Sequence, residues 1–178
     1  GEYCAAEAGG KYYTDLQAAV DEASSGATVT LMNNAEIAST LNISKDITLD
    51  LNGFTLKMTG SESVIKITDG KNFCLKDSVG SGKITGGKTS GDGGGVYIDN
   101  GTFNMSGGTI ENCSAGDEGG GVYIGSDCTF NMSGGVISGC TAKKGGGVYI
   151  FLSGIVSMTD GALIQNCTAS GDGGGIYI

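Results

Sequence analysis

Along most of the chain, apolar residues come in pairs one residue apart, with Gly, Ser, Asp and Asn between the pairs, and the pairs recur at a fixed interval. GGGVYI occupies 93–98, 119–124 and 145–150, and GGGIYI occupies 173–178, so that Val96, Val122, Val148 and Ile176 are spaced by 26, 26 and 28 residues. The rest of the unit keeps step: Phe103, Phe130 and Val156 form one column, Met105, Met132 and Met158 another, and Ile110, Ile137 and Ile164 a third. Period-two pairs bounded by turn residues predict strands, since a helix needs ten or more residues of longer period. A repeat in this size range predicts a solenoid. The expected fold is therefore all-β: a single-stranded, right-handed parallel β-helix with three strands per coil, each coil lying ~4.8 Å from the next. The glycine triplets are expected at sharp bends, where only Gly enters φ > 0 freely. A disordered linker would not keep Val, Phe, Met and Ile in register.

Looser versions of the unit precede the regular ones. Ile65 and Ile67, Phe73 and Leu75, and Ile84 match the three segments, and Val29/Leu31, Leu41/Ile43, Ile47/Leu49 and Phe54/Leu56 alternate similarly, giving about five to six coils. Residues 14–25, TDLQAAVDEASS, break this pattern. Thr14 and Gln17 read as a capping box, Leu16, Ala19, Val20 and Ala23 share one face, and Gly26 reads as a stop. This short helix is expected to cap the first coil. The organisation is one domain over 1–178, with the cap helix at 14–25, irregular coils at 27–88 and regular repeats at 89–178. The chain stops directly after a GGGIYI, so it reads as a fragment whose last coil is open and prone to end-to-end self-association.

Composition narrows the function. The 178 residues carry a net charge of −9 and no His, and all ten cations are lysines, which argues against a nucleic-acid footprint. The 35 glycines come with no proline and no three-residue period, which excludes collagen. No run of 18 apolar residues predicts a membrane span, so no membrane insertion is expected.

The GGGVYI, TFNMSGG and IxNCxA elements resemble the β-helix repeats of bacterial cell-surface and secreted proteins, including the polymorphic outer-membrane proteins. The stretch YTDLQAAVDEASSGATVTL…NISKDITLDLNGFTL is similar to the opening of pectate-lyase-like β-helices, where a helix caps the first coil. The resemblance covers nearly the whole chain and implies the fold and an extracellular or cell-surface location. It implies no single activity, because this superhelix carries lyases, hydrolases, epimerases and adhesins alike.

Pectate lyases as a family use clustered carboxylates for Ca²⁺ with an Arg or Lys base, and polygalacturonase-type hydrolases use an adjacent Asp-Asp with a His. Here Arg, His and Asp-Asp are missing, and Lys66, Lys76 and Lys83 read as solvated positions. No catalytic pair is expected. Asp92, Glu118, Lys144 and Asp172 each lie three residues before the last Gly of a triplet and should stack as a charge ladder; a calcium site at Asp92, Asp117 and Glu118 is the sharper alternative. Cys113, Cys140 and Cys167 recur at 27-residue steps and are expected as a column of buried thiols, since parallel side-chain vectors disfavour bridging. With no CxxC and no His, zinc is not expected, nor is any cofactor. A Cys4–Cys74 bridge would tie the N-terminal segment to the barrel. Sequons at Asn42, Asn104, Asn112, Asn131 and Asn166 read as turn asparagines.

Tyr97, Tyr123, Tyr149 and Tyr177 lie between inward Val/Ile pairs and should face outward in one exposed strip ~14 Å long. Mutual stacking explains such a strip, and so does a platform for glycans or host surface proteins. The expected function is a non-catalytic surface or secreted module acting as adhesin, stalk or glycan-contacting domain. The alternative is part of a polysaccharide lyase or glycoside hydrolase whose catalytic residues are unrecognised or lie elsewhere.

Overall fold

A computed structural model describes residues 3–159 and 161–178. It is an all-β parallel solenoid of about five turns with one short helix. Each rung begins on a face built from Thr28–Leu31, Ile47–Asp50, Lys71–Lys76, Gly101–Met105, Thr129–Met132 and Ile155–Met158. It crosses to a second face at Ala35–Ile37, Thr55–Met58, Lys83–Thr85, Thr109–Glu111, Gly135–Ser138 and Ala162–Gln165. It closes on a third at Leu41–Ile43, Ile65–Ile67, Val96–Ile98, Val122–Ile124, Val148–Ile150 and Ile176–Tyr177.

Three strands per coil describes only the early rungs. From the third rung a fourth, two-residue strand joins the second and third faces, at Lys88–Thr89, Ser114–Ala115, Thr141–Ala142 and Thr168–Ala169. Its single inward residue, Thr89 in the first and Ala in the later three, is too small to register as an apolar segment. Elsewhere the predicted pairing holds residue for residue: Val96 on Val122 on Val148 on Ile176, Phe73 on Phe103 on Phe130 on Val156, and Ile84 on Ile110 on Ile137 on Ile164.

These columns form the core. Phe73, Phe103 and Phe130 are fully buried and stack with ring centroids 5.6 and 4.8 Å apart. Offset aromatic pairs of this kind add about 0.5–1.5 kcal/mol each beyond the area they bury. Among the described residues no buried side-chain nitrogen or oxygen lacks a hydrogen-bond partner.

The glycine triplets serve two purposes, of which the sequence suggested one. Only the first Gly of each has positive φ: Gly93 (+67°), Gly119 (+69°), Gly145 (+60°) and Gly173 (+68°). In the first three triplets the others make room for the neighbouring rung. A Cβ on Gly120 would lie 2.3 Å from the Thr141 carbonyl oxygen, and one on Gly121 would lie 2.6 Å from that of Gly147.

The helix spans Leu16–Glu22 and buries Leu16, Ala19 and Val20 over the first rung. Its N-cap is Asp15, whose carboxylate accepts from the Ala18 N–H at 2.7 Å; Thr14 and Gln17 do not form the capping box. Gln17 instead bonds the Asn42 backbone in both directions, at 3.0 and 2.8 Å, which ties the helix to the third face. Lys45 Nζ donates to the Ala23 carbonyl at 2.9 Å, at the helix C-terminal end, where cations are favoured. A hairpin of Ala6–Ala8 and Lys11–Tyr13 adds two antiparallel strands beyond Thr28–Leu31. The opposite end of the solenoid is bare: Ile155, Met158, Leu163, Ile176 and Ile178 are exposed on the final rung.

Candidate functional site

The tyrosine column is assembled by the third face. In VYI the β pleat sends Val and Ile inward and the tyrosine outward. In-register pairing sets each ring on the next. Tyr97 and Tyr123 stack at 5.0 Å, Tyr123 and Tyr149 at 5.6 Å, and Tyr149 and Tyr177 at 5.2 Å, with interplanar angles of 3–4°. The four rings thus form one continuous stack. The first glycine of each triplet leaves the space the tyrosine needs, since a Cβ on Gly93 would lie 2.8 Å from Tyr97 Cβ.

The strip is nevertheless not an exposed platform. Tyr123 and Tyr149 are only 7% and 8% exposed, and Tyr97 and Tyr177 are half-buried. Each ring face is covered by the neighbouring ring, and Phe151 packs 6.4 Å from Tyr123. Lysines close the ends: Lys66 Nζ lies 5.3 Å over Tyr97 and Lys144 Nζ 5.1 Å over Tyr177, a favourable cation–π arrangement. Only ring edges of the column are left uncovered. Burial, reinforced by the carboxylates of Asp92, Asp99 and Glu118, pushes the phenols of Tyr97, Tyr123 and Tyr149 above their ordinary range.

Those carboxylates belong to the adjoining turns. Asp92, Asp117, Glu118, Lys143 and Lys144 line a groove of about 290 Å³ beside the stack. The expected column of Asp92, Glu118, Lys144 and Asp172 is in register, with the Gly93, Gly119 and Gly145 N–H groups donating to the Glu118, Lys144 and Asp172 carbonyls. It is not a ladder of ion pairs, because Lys144 is drawn over the Tyr177 ring. Asp92 accepts from the Glu118 N–H at 3.0 Å. Burial pushes its carboxyl up; that hydrogen bond opposes the shift, and repulsion from Glu118 and Asp117 adds to it. Among the described residues no group of three or more acidic, His or Cys side chains is arranged to hold a metal ion, so Asp92, Asp117 and Glu118 do not form a coordination shell.

The other candidates have structural partners. Lys66 pairs with Asp99 at 3.5 Å, Lys76 with Asp50 at 3.4 Å and Lys83 with Glu111 at 3.0 Å. Asp50 accepts from the Asn52 and Ser78 N–H groups, and Asp77 from those of Gly53 and Gly82. Asn131 donates to Asn104 at 2.9 Å, while Asn112 and Asn166 occupy the left-handed region at +53°. All six cysteines are free, so Cys4 and Cys74 are not bridged.

Sequence reasoning missed one aromatic group. Tyr3 and Tyr12, 52% and 65% exposed, line a groove of about 370 Å³ with Cys4, Tyr13 and Thr14 at the capped end. The Tyr3 hydroxyl donates to the Asn34 carbonyl at 2.7 Å, which fixes its ring while leaving it open. Nothing repeats there, and the signal lay only in a local density of tyrosine. Comparison of the chain with models of known families, with curated proteins and with solved structures returned no match.

Proposed function

We propose that the chain is a non-catalytic β-solenoid module of a secreted or surface-attached protein, working as a stalk or adhesive element that contacts glycans or host surface proteins. The motif resemblance to bacterial surface repeats supports the location. The observation that carries the reading is the tyrosine stack: a rigid, uninterrupted strip of phenolic edges flanked by the groove of Asp92, Asp117, Glu118, Lys143 and Lys144. Hydroxyl-rich or polar partners suit such a surface, since the edges and charges offer hydrogen bonds while the ring faces are already used.

The test is binding to a glycan array and to host cells by the parent and by Lys143→Ser with Asp117→Ser, two exposed substitutions that spare the stack. Reduced binding by a variant that melts like the parent supports the module. A parent that binds nothing, or a variant that binds equally, overturns it.

A second reading, a carbohydrate-active enzyme, draws on Asp92, a carboxyl with a raised pKa beside two acids and two lysines in a groove, as a general acid would require. Incubation with polyuronides and neutral polysaccharides, with and without Ca²⁺, separates the two. Product that disappears in Asp92→Asn would replace the first reading with the second.

A further inference from the structure

Cys113, Cys140 and Cys167 form a column that none of the above uses. Pairing of Ser114 with Thr141 and of Thr141 with Thr168 fixes their register, and the Thr141 and Thr168 N–H groups donate to the Cys113 and Cys140 carbonyls at 3.0 and 2.9 Å. Cys113 and Cys140 are buried and Cys167 is half-buried. The third glycines of two triplets lie beside the sulfurs: a Cβ on Gly121 would be in ordinary contact with Cys140 Sγ at 3.5 Å, and one on Gly147 with Cys167 Sγ at 3.4 Å.

Neighbouring members of the column are one strand spacing apart, ~4.8 Å. That spacing lies within the Cα range of a disulfide, but the parallel side-chain vectors of in-register neighbours disfavour the bond. A metal–thiolate bond is ~2.3 Å, so two thiolates on opposite sides of one ion stand ~4.6 Å apart, close to the rung spacing. Four-coordinate ions find too few donors here, consistent with the absence of any larger metal-binding cluster among the described residues. Thiolate softness and a coordination number of two single out the copper(I) class.

We propose that adjacent thiols of this column bind a soft, two-coordinate monovalent cation of the copper(I) class in linear bridges between rungs. Each ion forms two metal–sulfur bonds, both thiol protons pass to solvent, and no electron changes hands.

The test uses Ag(I), a redox-silent probe, on the reduced full chain carrying Cys4→Ala, Cys74→Ala and Cys128→Ala, which leaves only the column. At least about one Ag(I) per chain is expected after desalting, with Zn²⁺ not retained, and X-ray absorption should show two sulfur neighbours. Adding Cys140→Ala separates the remaining thiols by two rungs, and uptake should vanish; adding Cys113→Ala instead should preserve it. If Cys140→Ala does not fold by circular dichroism, the Cys113→Ala, Cys167→Ala pair leaves one thiol and must likewise lose uptake. Retention of Ag(I) by either of these column-breaking variants, absence of uptake by the column-only chain, or three or more sulfur neighbours overturns the proposal.

Discussion

Gly121 and Gly175 hold the same place in the second and fourth triplets, and neither has positive φ, so alanine is conformationally acceptable at both. Their surroundings differ. A Cβ on Gly121 would stand 2.6 Å from the Gly147 carbonyl oxygen and 2.7 Å from Ile137 Cγ2, whereas one on Gly175 would meet nothing within 4 Å. Restoring an ordinary contact at Gly121 requires the rungs to part by roughly 0.5–0.8 Å, and overpacking of this kind costs about 1–3 kcal/mol. The shift also strains the Gly121 N–H bond to Gly147, now 3.0 Å, and the Val122 N–H bond to the same carbonyl, now 2.9 Å. Against this, replacing Gly by Ala reduces the freedom of the unfolded chain, which stabilises by about 0.4–1 kcal/mol at either site. The expected net effect is a loss of about 1 kcal/mol for Gly121→Ala and a gain of up to about 1 kcal/mol for Gly175→Ala. For a chain of this size that is a Tm lower by about 2–4 °C in the first and unchanged or higher by up to about 4 °C in the second. Thermal melts followed by circular dichroism read both. Equal shifts of the same sign would refute the claim that these glycines are held by the neighbouring rung.

Ile124→Asp places an unpaired charge in a fully buried column and should abolish the cooperative melt; a variant melting like the parent contradicts the inward register. Tyr123 keeps its proton in the fold at pH values where the unfolded chain has begun to lose it, so its contribution is intact below pH ~10 and is lost as pH rises toward the folded pKa. Tyr123→Phe should therefore flatten the alkaline loss of stability, and an unchanged profile of Tm between pH 9 and 11 counts against the buried stack. Asp50 is the reverse case: burial pushes its carboxyl up, but the Ser78 and Asn52 N–H bonds and Lys76 outweigh that and lower it. Its contribution is present above pH ~4 and disappears as pH falls through the folded pKa, so Asp50→Asn should destabilise by about 1–3 kcal/mol at neutral pH and by less in acid, read from urea midpoints.

The solenoid was legible because its information is periodic. Val96, Phe103, Met105 and Ile110 each recur on later rungs, and one period-two strand repeated in register leaves little choice of fold. What escaped the sequence depends on three-dimensional closeness. The strand at Thr141–Ala142 carries one small inward residue, so no apolar pair marks it. The second and third glycines of the first three triplets are explained by carbonyls one rung away, which local φ preferences do not reveal. The tyrosines were placed on the correct side of the strand, but pleat geometry says nothing of how much of a ring its neighbours cover. The helix appears in both readings, yet its cap moved to Asp15 because Gln17 found the Asn42 backbone, a partner 25 residues away. The groove beside the stack was half legible: the register of Asp92, Glu118 and Lys144 follows from spacing, whereas the swing of Lys144 onto Tyr177 does not.

Like-on-like stacking makes the length of this molecule a heritable quantity that changes in steps. Copying residues 99–124 once would set Phe on Phe, Met on Met, Ile on Ile and Tyr on Tyr at the new junctions, and would extend the axis by ~4.8 Å without posing a new packing problem. A lineage can thus lengthen or shorten the reach of such a protein in one genetic event, and every product inherits interfaces that already fit.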